Sequence, residues 1–562
     1  MSTMPTALVN QKPVELEPGE RLNCIQAAAR VGVEIPAYCW HPSLSVVASC
    51  RMCLVEVGDT KPDGTVVMQP KLVPGCQTQV KEGTVIVADS EKVKAARKAT
   101  LEYLLLNHPL DCPVCDQAGE CFLQDYSYRF GRSYSRLQEP KELKPDKDHI
   151  GEQITLFTDR CIMCTRCVRF TREISGTAEL QVINRGTHEE IDIFPGDPCN
   201  NKLAGNVVDL CPVGALCSKD FLYKQRVWWL QSAKSVCPNC STGCSVNIDQ
   251  NEDHVHRLKP RDNPQAQGPF MCDEGRFGWK YLQAEERLTY PLQKTDAADG
   301  IRDWTAILNT LKQTVEQAVK KTPQKVAAVL SPWMTVEESY LLASWLKKLS
   351  PQVTLALGPV RVVGEDDTYP KDVHGQPIQP VKFTIRAEKC PNRRGVGEVL
   401  QHFFGKVKPF AEVVSEAAAG KYDLVYLVGG DPAGWIDDSQ AKAFSQVKTL
   451  IVQDLLPSPV LPYASFILAG GSFAERDGTF VNHAGLAQEI HKSVRAPGNA
   501  RADNRIFWEL TGRTGLFHAG NLRKEIGEAI PALAALEPGK LGDLGVLLTT
   551  TPDNAQIPVV QA

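Results

Sequence analysis

A chain of 562 residues with 43% hydrophobic and 23% charged residues has the make-up of an ordinary globular protein of several domains. A net charge of −4 offers no basic balance for nucleic acid, and no apolar run approaches the length needed to cross a bilayer. The opening MSTMPTALVNQKPVEL lacks a basic stretch followed by an apolar one, so no secretory signal is expected, and the nineteen cysteines are expected to bind metal in a reducing compartment rather than pair as disulfides.

Residues 1–88 read as a ferredoxin-like domain. Ala7–Val9 and Val14–Leu16 flank Asn10-Gln11-Lys12-Pro13 as a β-hairpin. Leu22–Val31 has helical apolar spacing and stops at Gly32, with Cys24, Ala28 and Val31 on its buried face, so Cys24 is expected in the core. The loop Tyr38–Met52 carries Cys39 and Cys50, Cys53 follows at once, and Cys76 comes after another strand pair. Iron–sulfur clusters favour soft, anionic thiolates, and this spacing is a stretched form of the plant-type C-x4-C-x2-C with a distant fourth cysteine. Tetrahedral zinc also accepts four cysteines; the preceding hairpin and helix favour [2Fe–2S].

Over residues 89–149, Ser90 is placed to cap a helix from Glu91 to about Asn107, with Val93, Ala96, Leu101, Leu104 and Leu105 on its apolar side. Pro109 stops it and leaves His108 at the helix end. Cys112, Cys115 and Cys121 supply three ligands and lack a fourth, which makes His108 a candidate in the pattern H-x3-C-x2-C-x5-C. Alone, a histidine there would merely suit the helix dipole. A neutral imidazole in place of a thiolate is expected to raise the potential, as it does in Rieske centres.

Residues 150–228 contain Cys161, Cys164 and Cys167 in the C-x2-C-x2-C triplet of bacterial ferredoxins, closed by Cys211 before Pro212 as one [4Fe–4S] set. Cys199 and Cys217 are not assigned as ligands. In residues 229–288, Cys237, Cys240 and Cys244 are closed by Cys272 in F-M-C-D-E-G-R-F-G-W, an all-cysteine set for which zinc is again the alternative.

This order of motifs resembles the large iron–sulfur subunits of respiratory complex I, most specifically over residues 35–280. The resemblance implies one [2Fe–2S] cluster on Cys39, Cys50, Cys53 and Cys76, and three [4Fe–4S] clusters on His108/Cys112/Cys115/Cys121, Cys161/Cys164/Cys167/Cys211 and Cys237/Cys240/Cys244/Cys272. It further implies an electron relay from an NADH- and FMN-binding subunit toward quinone, within a proton-translocating NADH–quinone oxidoreductase, with no complete active site on this chain. The implied partners are other peripheral-arm subunits, and the implied place is the cytoplasmic face of the bacterial inner membrane, which the chain would touch only through those partners. The fourth cluster occurs in some members of this family and is thought to lie off the main path.

Residues 289–562 turn to α/β patterning, giving a chain that is multidomain α+β and α/β overall. Lys325–Leu330 and Val353–Leu357 read as strands around a helix reaching about Leu349, with Thr335 and Glu338 as its capping box. Asp423–Val428 and Leu450–Val452 form a second such unit around a helix near 437–447, implying a parallel sheet. The run Phe473–Asn482 reads as strand ends around a turn at Asp477-Gly478. The turn V-G-G-D-P, the run A-E-R-D-G-T-F-V-N and the place of the fourth cysteine group resemble the molybdopterin oxidoreductases. Three departures argue against molybdenum here. Glu274 stands where those enzymes carry a lysine and would set a negative charge in the electron's way; the α/β region is short; and Cys390, in A-E-K-C-P-N-R-R-G, lacks a metal-site context.

The last stretch, about 530–562, shows no helix pattern and is expected to lie on a partner or stay disordered. No G-x-G-x-x-G follows a strand, so no NADH site is expected. An iron-only hydrogenase would need a second ferredoxin triplet and more cysteines beyond Cys272. A molybdopterin-dependent formate dehydrogenase and a zinc-stabilised scaffold remain as alternatives.

Overall fold

The computed structural model describes residues 6–295, 300–537 and 539–548. The chain divides into two compact units, residues 1–229 with 370–379, and residues 230–369 with 380–562.

The first unit opens with the hairpin of β1 (Thr6–Val9) and β2 (Lys12–Glu15). Its connection is two residues rather than four: Asn10 and Gln11 both take left-handed backbone, at φ 45° and 69°, which matches the twist of paired strands. Pro13 therefore sits inside β2, tolerated because β2 is an edge. Helix α1 (Cys24–Arg30) starts later than its apolar spacing suggests. Asn23 and Gln26 cap it reciprocally, each side chain bonding the other's N–H at 3.0 Å. Cys24 and Ala28 are fully buried in a core with Val9, Val55 and Ile86. Strands β3 (Leu54–Thr60), β4 (Val66–Met68), β5 (Val73–Pro74) and β6 (Thr84–Val87) complete a sheet of order β2-β1-β6-β3-β4, with β5 paired to β3.

Helix α2 (Glu91–Leu105) begins at Ser90, whose hydroxyl accepts from Val93 N at 3.3 Å. It stops short of the expected end, and Lys141 Nζ takes the freed carbonyls of Leu105 and Leu106, both at 2.7 Å. His108 thus lies in the following loop, not on the helix. The unit continues through α3 (Phe122–Phe130), β7 (Ile154–Leu156), α4 (Arg166–Phe170), the pair β8 (Leu180–Ile183) and β9 (Glu190–Ile193), α5 (Asn206–Leu210) and β10 (Leu216–Ser218), which pairs with β7.

The second unit begins with an antiparallel sheet of β11 (Gln231–Val236), β12 (Ser245–Asn251) and β13 (His254–Pro260), followed by α6 (Asp273–Phe277). After β14 (Leu292–Gln293) and α7 (Trp304–Lys321) comes the expected parallel sheet. Its strands β15 (Val326–Leu330), β16 (Thr354–Leu357), β19 (Leu424–Val428), β20 (Thr449–Asp454) and β21 (Phe466–Ala469) stand in the order β14-β21-β20-β19-β15-β16, with only β14 antiparallel; a separate pair, β17 (Asp367–Tyr369) and β18 (Phe383–Ile385), lies between β16 and β19 in the chain. The run Val326–Leu330 is buried throughout, as a strand covered on both faces requires. Val326, Ala328 and Leu330 face α7, α8 (Val336–Leu349) and α9 (Arg393–Phe404), while Ala327 and Val329 face α10 (Phe410–Ala418) and α11 (Asp438–Ala443). The capping box of Thr335 and Glu338 is present, bonded at 2.8 and 3.2 Å.

Two expectations are corrected here. Asp477-Gly478 is not a hairpin turn: Gly478 opens β22 (Gly478–Val481), which turns through Asn482–Gly485 into β23 (Leu486–Ile490). The C-terminal stretch is not an arm as far as residue 548. After α12 (Asp503–Leu510) and α13 (Ala519–Ala529), Leu533 and Leu536 enter the unit's own core, and β24 (Val546–Leu547) pairs with β23. Residues 549–562 lie outside the described residues.

Candidate metal centres

Three cysteines of the first group, Cys39, Cys50 and Cys53, hang on an irregular loop between α1 and β3, where Ala48 and Arg51 take left-handed backbone, and the fourth, Cys76, follows β5. The loop brings Cys39, Cys50, Cys53 and Cys76 together: the Cys39 thiol bonds those of Cys50 and Cys76, and Cys76 also bonds Cys53. Those contacts drive Cys39 far below the ordinary thiol range and push Cys50 and Cys76 far above it. Four thiols this close cannot all ionise without a cation among them, which is the demand a metal cluster meets. Cys24 stands apart, its thiol on Thr78 O and pushed up to about 12 by burial.

The second group lines a cavity of about 640 Å³, with His108, Cys112, Cys115 and Cys121 on its wall beside Leu105, Leu123 and Gly214. His108 Nδ1 is buried with no hydrogen-bond partner, while the ring also bonds the Arg160 main chain. Burial pulls its pKa down to about 4, leaving the neutral imidazole that a metal binds. A buried ring nitrogen with an open lone pair and a second bond that fixes the ring is the arrangement of a metal-ligating histidine. A Cβ at Gly214 would fall 2.3 Å from Cys115 Sγ, so the backbone of the Cys211 loop approaches Cys115 as closely as only glycine allows. Arg160, buried and paired with Asp111 at 2.5 Å, puts a positive charge beside Cys115.

In the third group, Met163 and Thr165 take left-handed backbone between the cysteines. That turns Cys161, Cys164 and Cys167 to one small cavity, which Cys211 closes beneath Leu156, Ile191 and Val213. Burial pushes Cys161 up to about 12 and Cys164 up to about 11. Cys217, also buried, bonds Gly214 O and does not line that cavity; Cys199 accepts from Asn201 Nδ2 at 3.8 Å.

In the fourth group, Cys237, Cys240 and Cys244 make the connection between β11 and β12, and Cys272 caps α6, its sulfur accepting from Gly275 N at 3.4 Å. All four are buried, and burial followed by the neighbouring thiols raises Cys237 to about 12. A Cβ at Gly275 would lie 2.9 Å from Cys237 Sγ. The charge expected to stand unopposed at Glu274 is paired: Lys389 Nζ, on a side chain 7% exposed, meets it at 2.6 Å. A lysine therefore does reach this group, from a different segment of the chain. Cys390 beside it is buried and bonds Glu388.

Among the described residues, no set of three or more His, Cys, Asp or Glu side chains is arranged as the shell of a single metal ion. The buried Arg160, Arg166 and Arg169 were not singled out from sequence.

The A-E-R-D-G-T-F-V-N run proves to be a buried polar network. Glu475 receives two bonds from Arg287 at 3.0 and 2.9 Å, Arg476 pairs with Asp503 and Glu338, and Thr479 bonds Glu337.

Along its length the chain matches models of iron–sulfur cluster domains and, in its C-terminal half, of molybdopterin oxidoreductase. Five family models match in series: a 2Fe-2S iron-sulfur cluster binding domain over residues 3–91, the NADH-ubiquinone oxidoreductase-G iron-sulfur binding region over 97–136, the ferredoxin-like domain of NADH-quinone oxidoreductase subunit 3 over 151–217, the molybdopterin oxidoreductase Fe4S4 domain over 230–284 and molybdopterin oxidoreductase over 398–513.

More particularly, the chain is similar to the G subunits of NADH-quinone oxidoreductases. It is 37% identical to that of Rickettsia felis over 335 residues, which are 60% of this chain and 48% of the relative. It is 36% identical to the NADH-ubiquinone oxidoreductase 75 kDa subunit of Reclinomonas americana, over 62% of this chain and 48% of that protein. The chain thus spans about half the length of the curated relatives it matches. A solved NAD+-reducing [NiFe]-hydrogenase chain is 25% identical over 40% of this chain and 91% of its own, with a TM-score of 0.34. No helix among the described residues is long and apolar enough to cross a membrane.

Proposed function

We propose that this chain is the electron-relay subunit of an NADH–quinone oxidoreductase, taking electrons from an NADH- and flavin-binding partner and passing them toward quinone. The ligand sets in this reading are Cys39/Cys50/Cys53/Cys76 for one [2Fe–2S] cluster, and His108/Cys112/Cys115/Cys121, Cys161/Cys164/Cys167/Cys211 and Cys237/Cys240/Cys244/Cys272 for three [4Fe–4S] clusters. They lie in four of five segments, 1–88, 89–149, 150–228 and 229–288, and the fifth, 289–562, is read as a molybdopterin-oxidoreductase-like domain without molybdenum. The observation that carries the reading is the His108 cavity, where one imidazole and three thiols share a wall and Nδ1 has no protein partner.

Bound clusters would accept and release single electrons at potentials set by ligand identity, nearby charge and solvent access. The chain's own part is to hold the ligands, bury them and place Arg160 and Lys389 beside them. The peripheral-arm partners, the proton-translocating complex and the cytoplasmic face of a bacterial inner membrane belong to the same proposal; the relatives' names support a subunit of an NADH–quinone oxidoreductase.

Iron and acid-labile sulfide analysis of anaerobically purified chain tests this: about fourteen irons are expected per chain, from one two-iron and three four-iron clusters. Colourless, iron-free and folded protein would overturn it. His108→Cys is expected to keep its cluster with a lower midpoint in an EPR redox titration, because a thiolate adds a negative charge; an unchanged midpoint removes His108 from the ligand set. Stoichiometric molybdenum in the same preparation would favour the formate-dehydrogenase alternative.

A further inference from the structure

Helix α4 carries Cys167 and, on either side of it, two arginines that are each only 7% exposed. They are three residues apart and so lie on one face of the helix. Arg166 donates to Trp40 O at 2.7 Å and to Leu210 O at 3.2 Å. Arg169 donates to the carbonyls of Cys39 and Ser45, and to Cys164 O at 3.2 Å. One turn further on, Glu173 accepts from Ser45 N at 2.8 Å.

The pattern is the same twice over. Arg169 bonds the peptide of a first-group cysteine, Cys39, and of a third-group cysteine, Cys164. Arg166 bonds the residues next to a first-group and a third-group cysteine, Trp40 beside Cys39 and Leu210 beside Cys211. The partners lie 124 to 130 positions away on the first-group side, so no local folding rule places them. A planar fork of five donors suits several carbonyls at once, and guanidinium keeps its charge when buried. Carbonyl bonds alone would not call for two buried cations; a pair of anionic centres on either side would.

We propose that Arg166 and Arg169 are positioning residues for electron transfer between the first and third centres. They hold the Cys39 loop against the Cys161–Cys167 segment, so fixing the separation of the two centres, and their charge favours the reduced state of both. The step they serve moves one electron: the reduced centre is oxidised by one, its neighbour is reduced by one, and no proton is exchanged. This inference rests on the cluster assignment proposed above.

The test is an EPR redox titration of the full-length, anaerobically purified chain, wild type and variants. Arg169→Met is expected to shift the midpoints of both the first and the third centre downward and to change the magnetic coupling between their reduced signals. The second and fourth centres should stay as in wild type. Arg169→Lys keeps the charge without the fork and is expected to recover the midpoints but not the coupling. A shift confined to one centre, or to neither, overturns the bridge while leaving the cluster assignment intact; wild-type protein without these signals breaks that assignment instead. Should Arg169→Met fail to load, Arg166→Met carries the same expectation. Joint loss of the first and third signals with the other two retained supports the bridge, and loss of only one overturns it.

Discussion

The two units bury charge for opposite reasons. In residues 1–229, Arg160, Arg166 and Arg169 are buried beside thiols, and two of the three are held by main-chain carbonyls rather than carboxylates. In the α/β unit, buried Arg287 and Arg476 meet buried carboxylates of the protein itself. Buried cations held only by carbonyls signal anions that the protein does not itself supply, whereas carboxylate–guanidinium pairs are scaffold. The buried charges thus set the first unit, with three of the four proposed ligand sets, apart from the parallel sheet of the second, whose arginines are matched by its own carboxylates.

The sharpest way to break this contrast is to remove the iron. Anaerobic chelation of the full chain is expected to strip the first unit of most of its protection, on the order of the 5–15 kcal/mol that holds a domain together, because metal binding there is folding energy. Limited proteolysis should then cut within residues 6–229 and spare the 300–548 region; equal cutting of both would erase the distinction. Next in size, Arg287→Met leaves Glu475 buried and unpaired and should cost about 3–5 kcal/mol in urea denaturation of the α/β unit. A cost near zero would show that this network is not what holds that unit.

A smaller effect is expected from pH. Asp454 lies at the end of β20, bonded by Trp435 Nε1 at 2.7 Å and Gly430 N at 3.0 Å, and burial raises its pKa to about 6 despite those bonds. The folded state then holds a proton that the unfolded chain releases, so this contribution is whole below about pH 4 and is lost as pH rises to about 6, at most about 3 kcal/mol. Asp454→Asn should flatten that part of the stability profile; an unaltered profile would assign the slope elsewhere. Smallest are the caps. Ser90→Ala and Thr335→Ala should each cost about 1 kcal/mol, and hydrogen exchange should register the first in α2 alone and the second in α8 alone.

Much of the α/β unit was legible because its signals are local. The apolar runs at 326–330 and 424–428 and the Thr335–Glu338 box act within a few residues, and each stands where its pattern indicates. The errors came where a distant side chain intervened. Lys141 caps the end of α2 from 36 positions away, and β24 turns a stretch read as an arm into the edge of a sheet. Glu274 read as an obstacle because its partner, Lys389, lies 115 residues on.

Sequence alone was enough for the ligand spacings, the chain order of the cysteine groups and the alternation of strands and helices, since these depend on residues close together along the backbone. Folding had to supply the open Nδ1 of His108, the Lys389 partner of Glu274 and the Arg169 shared between Cys39 and Cys164. Each depends on groups meeting across a hundred residues or so, or on exclusion from water, and neither distance in space nor burial is written in the order of the amino acids.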